Sequence, residues 1–278
     1  MYRDKYKVLI LGVSGMIGSN LYKYLSSKNN LSIFGTYNSN KPNSKNIIKF
    51  DINDNDIFFM EDYDLIINCA GITKHNRLHS SNISQIYNLN IKLPLILNDL
   101  KKRKKINIIH ISSDCVFSGM NGNYKENSND YSTDTYGQSK RIGELVISDS
   151  LVIRTSTIGH EIFYKNGLLE WFLSNKSECK GYQNAFFNGL TTLELSKIIY
   201  KYFIKRLFFP KSIINIGGYK ISKYDLLCKI NRIYDLNIDI QKDVNFKIDR
   251  TLDISKFLNL TDYKLKTWYR MLKENKNY

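Results

Sequence analysis

An α/β fold built on a doubly wound parallel sheet is what this sequence predicts, and three observations carry the prediction. Short apolar runs alternate with segments of helical periodicity through the first half of the chain. Those runs are nearly continuous in apolar residues rather than alternating, as strands buried on both faces must be. A glycine-rich turn, Gly12-Val13-Ser14-Gly15-Met16-Ile17-Gly18, follows directly on the first run, Val8-Leu9-Ile10-Leu11. At 278 residues and 42% hydrophobic content, the chain can bury one large domain, or one domain and a smaller lobe.

The elements read in order. Strands are expected at residues 7–11, 32–37, 47–50, 64–69, 106–112 and 151–155, with helices between them that include 81–104 and 135–147. After the first strand, the glycine turn leads into a helix-like segment from Ser19 to Tyr24. Strand, glycine turn and helix form the context of a phosphate-binding loop: the glycines let the backbone approach closely, and the helix start points N–H groups at an anion. The spacing Gly-x-x-Gly-x-x-Gly is one residue longer than the usual dinucleotide fingerprint, and an ordinary glycine-rich turn is the plain alternative. Residues 118–135, rich in Gly and Asn, read as a long loop at the sheet edge. Beyond 155 the alternation loosens, with helices expected at 168–174, 192–205 and 223–234 and a strand at 213–216. The expected organisation is a Rossmann-type dinucleotide-binding domain over 1–155 and a mainly substrate-binding lobe over 156–278, returning to the sheet around 190–216.

A net charge of +15 invites a nucleic-acid reading, but its distribution argues otherwise. The densest run, Lys101-Lys102-Arg103-Lys104-Lys105, closes a helix, where cations meet the C-terminal end of the dipole. The other lysines are scattered, so no nucleic-acid partner is expected, and a basic surface also suits an enzyme that handles an anionic dinucleotide. No apolar run approaches bilayer length and residues 1–6 lack a signal peptide's apolar region, so a cytoplasmic protein with no membrane partner is expected. Cys69, Cys115, Cys179 and Cys228 lie far apart in sequence without metal-ligand spacing; reduced thiols and no metal are expected.

Tyr136-Gly137-Gln138-Ser139-Lys140 places a phenol and an ammonium at i and i+4, on one helix face. The cation is expected to favour phenolate and lower the tyrosine's pKa. A hydroxyl from Ser112-Ser113, at the end of the preceding strand, completes a proton-donating pocket for a carbonyl oxygen. Tyr-x-x-x-Lys alone says little in a chain with 20 Tyr; the glycine loop in the same half gives it weight.

These residues carry a family resemblance. The motifs Gly12–Gly18, Asn68-Cys69-Ala70-Gly71, the run from His110 to Gly119, Tyr136–Lys140 with Gly143-Glu144, Leu151-Val152-Ile153-Arg154-Thr155-Ser156 and the run from Gly189 to Leu195 occur in one order across most of the chain. In this the chain resembles the extended short-chain dehydrogenase/reductases, most closely the dTDP-4-dehydrorhamnose reductase-like branch. The resemblance implies a catalytic Ser113/Tyr136/Lys140 triad. Tyr136 would protonate a ketone oxygen as hydride arrives at its carbon, Lys140 would hold the nicotinamide ribose, and Ser113 would brace the oxygen. It further implies cofactor contacts from Gly12, Ser14, Gly15, Met16, Ile17 and Gly18, from Asp51-Ile52 beside the adenine, and from Cys69, Ala70 and Gly71. A nucleotide-diphosphate sugar substrate and a homodimer through paired helices are implied as well. The expected function is an NADPH-dependent 4-reductase of a UDP- or dTDP-linked 4-keto-6-deoxyhexose. A 4-epimerase or 4,6-dehydratase of the same family, or a non-catalytic NADP-binding sensor, are the alternatives.

Cofactor choice turns on the end of the second strand, where a carboxylate would hold the ribose 2′-OH of NAD. Thr36-Tyr37-Asn38-Ser39-Asn40-Lys41 offers none. Thr36, Asn38 and Ser39 can donate to a 2′-phosphate with Lys41 close by, so NADPH is expected. Cys115 departs from the nearest branch, which commonly has tyrosine there, and matches fucose-synthase-like enzymes, in which a cysteine and a histidine epimerise the sugar. Cys115 with His160 would then add C3-epimerase activity to the reduction; a small buried thiol and a loop histidine are the plain alternative. Lys74, Arg154 and Arg250 can face substrate phosphates, although each also reads as a surface or ion-pair residue. Trp171 and Phe172 lie on a helix whose apolar face packs inward, and the tail from Leu252 to Trp268 reads as packing.

Overall fold

The computed structural model describes residues 5–54, 57–73, 83–147, 149–163, 165–175 and 177–278. In chain order the strands are β1 (Tyr6–Leu11), β2 (Leu31–Tyr37), β3 (Ile47–Lys49), β4 (Leu65–Asn68), β5 (Asn107–Ile111), β6 (Leu151–Arg154), β7 (Thr157–Ile158), β8 (Glu178–Phe187), β9 (Leu190–Thr191), β10 (Ile213–Asn215), β11 (Ile221–Ser222) and β12 (Asp239–Asp249). The helices are α1 (Met16–Ser26), α2 (Ile83–Tyr87), α3 (Leu93–Arg103), α4 (Thr135–Val146), α5 (Leu168–Leu173), α6 (Thr192–Ile198), α7 (Lys223–Tyr234), α8 (Ser255–Leu260) and α9 (Trp268–Lys276). A π-helical turn over Asn88–Lys92 joins α2 to α3, and another over Ile199–Ile204 extends α6.

Among the described residues, seven strands form one parallel sheet in the order β10-β6-β5-β4-β1-β2-β3. Its strands are apolar throughout because successive side chains face opposite covered sides. Val8, Ile10, Leu65, Ile67, Ile109 and Ile111 pack with Leu21 and Leu25 of α1 and Leu195 and Ile198 of α6. Leu9, Leu11, Ile66, Ile108 and Val152 pack instead with Leu93, Leu97 and Leu100 of α3. The chain progresses outward in both directions from between β1 and β4, and the crevice at the C-terminal ends of these two strands is where such sheets bind ligands. β10 pairs with β6 through Ile213↔Val152, so the chain re-enters the main sheet late.

A second, three-stranded sheet, β11-β8-β12, was not foreseen. β8 and β12 are long, β12 is largely exposed and β8 only partly buried, and their polar residues break any apolar alternation. The loop between β5 and α4 is ordered by stacking of Phe117 on Tyr124, ring centroids 4.3 Å apart, and by the Tyr124 hydroxyl donating to Asp130 at 2.7 Å. Among the described residues no helix is long and apolar enough to cross a membrane.

Candidate active site

The crevice begins at the glycine loop. Gly12 has φ +84°, a conformation costly for any residue with a Cβ, and a Cβ there would lie 2.9 Å from the Ala70 Cα. A Cβ on Gly18 would lie 2.2 Å from the Gly12 carbonyl oxygen, so α1 can start against the loop only with glycine. α1 begins with no side-chain cap at Gly15 and no acidic residue in its first turn, which leaves its N-terminal amides for an anion. Ser14, Met16 and Ile17 are half-buried around this cradle. A pyrophosphate-bearing dinucleotide fits a loop kept this free of side chains.

The neighbouring strand ends supply the rest of the rim. Thr36 is buried, and its hydroxyl accepts the Gly12 N–H at 3.2 Å. It therefore braces the loop from below. Asn38 and Ser39 are exposed. Asn38 donates to Asp51 at 3.0 Å, and Ser39 donates to Asn38 at 2.9 Å. The Asn53 backbone N–H and the Asn38 amide hold the Asp51 carboxyl below the usual range. Ile52 is buried in the core beside it. At β4 the Cys69 N–H donates to the Leu11 carbonyl at 3.1 Å and the Ala70 N–H to Asn68 Oδ1 at 3.1 Å, fixing the turn that passes under Gly12. Burial pushes the Cys69 thiol up to about 12, so it is neutral. A Cβ on Gly71 would lie 3.9 Å from Lys140 Nζ, so the lysine ends against this turn. Lys74 lies outside the described residues.

Tyr136 and Ser113 arrive from different elements and meet. Asp134 caps α4 by accepting the Gly137 N–H at 2.9 Å. A Cβ on Gly137 would lie 2.4 Å from the Cys115 carbonyl oxygen, so the first turn of α4 presses on the short turn Asp114–Val116 that follows β5. Ser113 precedes that turn, accepts the Cys115 N–H at 3.1 Å, donates to Asp114 at 3.1 Å and lies close enough to the Tyr136 phenol to lower its pKa. Burial pushes the phenol well above its ordinary value, Cys115 adds to this, and Ser113 only partly opposes it. The expected lowering by Lys140 is absent: Lys140 Nζ donates to the Ile111 carbonyl at 2.8 Å, and burial pushes it down to about 8 against the pull of Glu144 and Cys69.

The expected Cys115/His160 pair is not formed. Burial, then the Asp114 charge, push the Cys115 thiol up to about 12, while Arg250 and Ser113 oppose them. His160 is committed elsewhere, with Nδ1 2.8 Å from Glu170 Oε1 and Nε2 3.0 Å from the Tyr234 hydroxyl. Its carbonyl accepts from Asn20 of α1 at 3.1 Å. Arg154 is likewise no phosphate ligand: it is buried and bonded to Glu144, Nη2 to Oε2 at 2.7 Å.

Residues 8–150 match the NAD dependent epimerase/dehydratase family. The chain belongs to that family. A curated dTDP-4-dehydrorhamnose reductase of Aggregatibacter actinomycetemcomitans is 27% identical over 159 residues, 54% of this chain and 51% of that protein, so the match spans about half of the relative. A crystal structure of a hypothetical dTDP-4-dehydrorhamnose reductase from Sulfolobus tokodaii superposes with a TM-score of 0.77 at 25% identity, covering 94% of this chain and 97% of that one. At lower identity the fold alone is shared. The dTDP-4-dehydrorhamnose reductase of Bacillus anthracis in complex with NADP gives 0.81 at 17%, covering 98% and 99%. A UDP-glucuronic acid 4-epimerase from Bacillus cereus in complex with NAD gives 0.78 at 20%, covering 98% of each.

Within this epimerase/dehydratase frame, two cations of the C-terminal half reach the Asp114–Val116 turn. Lys223, first residue of α7, lies 3.6 Å above the Phe187 ring, and Arg250 Nε donates to the Phe117 carbonyl at 3.4 Å. Both act on the buried Asp114 carboxyl, which burial nonetheless holds above its usual range. Lys223 was missed because nothing in its surroundings in sequence marks it; only the packing of α7 brings it to Asp114. A buried polar layer under the site was missed for the same reason. There Asn90 donates to Ser139 Oγ at 2.9 Å, and His110 pairs with Asn68 at 3.1 Å.

Proposed function

We propose that the chain is an NADPH-dependent reductase of a nucleotide-linked 4-keto-6-deoxyhexose, UDP- or dTDP-bound, that serves deoxysugar synthesis as a homodimer. The observation that carries this reading is the placement of Ser113 beside the Tyr136 phenol at the edge of the crevice, with Lys140 reaching the Gly71 turn. The match to a dTDP-4-dehydrorhamnose reductase over about half of the chain supports it.

The Gly12–Gly18 loop and the start of α1 would hold the cofactor's pyrophosphate, and Asn38, Ser39 and Lys41 its 2′-phosphate. Bound NADPH would supply the hydride that reduces the ketone carbon. The chain's own residues manage the oxygen. Tyr136, kept protonated by burial, is poised to donate its phenolic proton as charge builds there, and Ser113 offers a second donor. Lys140 places its charge beside the cofactor turn. Lys223 and Arg250 suit the anionic diphosphate of the substrate. C3-epimerisation is not part of this activity: the Cys115 thiol is neutral, and both ring nitrogens of His160 are engaged by Glu170 and Tyr234.

The test is oxidation of added NADPH by the purified protein against a panel of UDP- and dTDP-linked 4-keto-6-deoxyhexoses. Turnover with at least one of them is expected, and Tyr136→Phe should lower kcat by roughly 10²–10⁴-fold while NADPH affinity stays unchanged. Equal or better turnover with NADH would overturn the cofactor preference. Tightly bound NAD and sugar interconversion without added reductant would instead make it an epimerase.

A further inference from the structure

We infer that Cys179 on β8 and Cys228 on α7 form a redox-active thiol pair, a site at which a small-molecule disulfide closes a reversible intramolecular bridge. All four cysteines are free thiols in this structure, and these two stand far apart in sequence. The fold sets them opposite each other. β11 runs antiparallel to β8, with Ile221 beside Phe187 and Ser222 beside Phe186. Further on, a Cβ on Gly181 would lie 3.0 Å from the Tyr224 Cα and 2.9 Å from its Cδ2. As the chain advances from 221 to 224, its neighbour on β8 therefore retreats from 187 to 181. From Tyr224 to Cys228 a helix rises about 6 Å; from Gly181 back to Cys179 a strand covers roughly 6.6 Å. The two steps match in length and direction.

The faces match too. Tyr224 and Cys228 are i and i+4 on one side of α7, and Gly181 and Cys179 are i and i+2 on one side of β8. The face of β8 that meets Tyr224 at Gly181 thus meets Cys228 at Cys179. Tyr224 and Cys228 lie close enough to act on each other electrostatically, as do Cys228 and Cys179. Both residues are half-exposed. Cys228 lines an open cleft of about 820 Å³ together with Lys229 and Arg232. Cations at a cleft attract an anionic disulfide such as oxidised glutathione.

The exchange balances without further reactants. The Cys228 thiolate attacks one sulfur of the small disulfide and expels the other as a thiolate, leaving a mixed disulfide. The Cys179 thiolate then attacks the Cys228 sulfur and expels the second small thiol. The two protein sulfurs lose two electrons and two protons, and the disulfide becomes two thiols. Closure would clamp α7, whose first residue Lys223 reaches the Asp114–Val116 turn, onto β8.

The test reads sulfur rather than turnover, so it stands apart from the reductase reading. The full-length protein is incubated with oxidised glutathione, digested without reduction and analysed by mass spectrometry. A cross-linked pair of peptides holding Cys179 and Cys228 is expected, together with loss of two titratable thiols and their recovery with dithiothreitol. Cys228→Ser and Cys179→Ser should each abolish the cross-link. A wild-type protein that keeps all its thiols, stops at a mixed disulfide, or cross-links through Cys69 or Cys115 would overturn the inference.

Discussion

Burial acts with opposite sign on the two residues at the heart of the site. It raises the Tyr136 phenol and lowers the Lys140 ammonium to about 8, so near neutral pH the first holds its proton and the second its charge. Because Lys140 loses that charge as pH rises through about 8 while Tyr136 remains protonated, kcat/KM for ketone reduction should be level below pH 8 and fall above it. A profile that stays flat well past this point would remove the lysine's charge from the mechanism. The spacing of Tyr136 and Lys140 was legible in the sequence, since i and i+4 share a helix face wherever the helix lies. The direction of the phenol's shift was not. It depends on how completely the Ser113–Cys115 turn and its surroundings desolvate the phenol, which no local spacing reports.

At the level of elements, α4 is held to the sheet by the Glu144–Arg154 pair, both buried, with Ser112 also donating to Glu144. Glu144→Gln leaves the Arg154 guanidinium buried without its counter-charge and should cost about 3 kcal/mol or more. Urea unfolding measures this, and an unchanged midpoint would show that α4 is held by packing alone. Helix α4 and strand β6 could both be read from periodicity, and Arg154 already read as a possible ion-pair residue, yet no spacing named Glu144 as its partner. β8 and β12 escaped notice for a different reason. Their half-exposed polar residues leave no period to detect, and they are strands because each finds the other, with Asp239 beside Glu178 and Asp249 beside Phe186.

Across the whole molecule, Ile83 and Tyr87 on α2, Leu95 on α3, and Ile142 and Leu145 on α4 are all exposed on helices that pack side by side. Apolar side chains gathered in this way on neighbouring helices suit a second copy of the chain. A dimeric mass by light scattering is expected, with Leu145→Glu shifting it to monomer; a monomeric wild type would dismiss the dimer. The order of apolar runs, the glycine turn after the first of them and the Tyr136–Lys140 spacing were enough to determine a parallel α/β sheet with a glycine turn leading into its first helix, because each is a property of neighbours in the chain. Which distant groups meet was decided only in three dimensions: Ser113 with Tyr136, Lys223 with Asp114, His160 with Glu170 instead of Cys115, and Cys179 opposite Cys228. Those partnerships follow from packing and desolvation, forces that act between residues a hundred positions apart as readily as between neighbours.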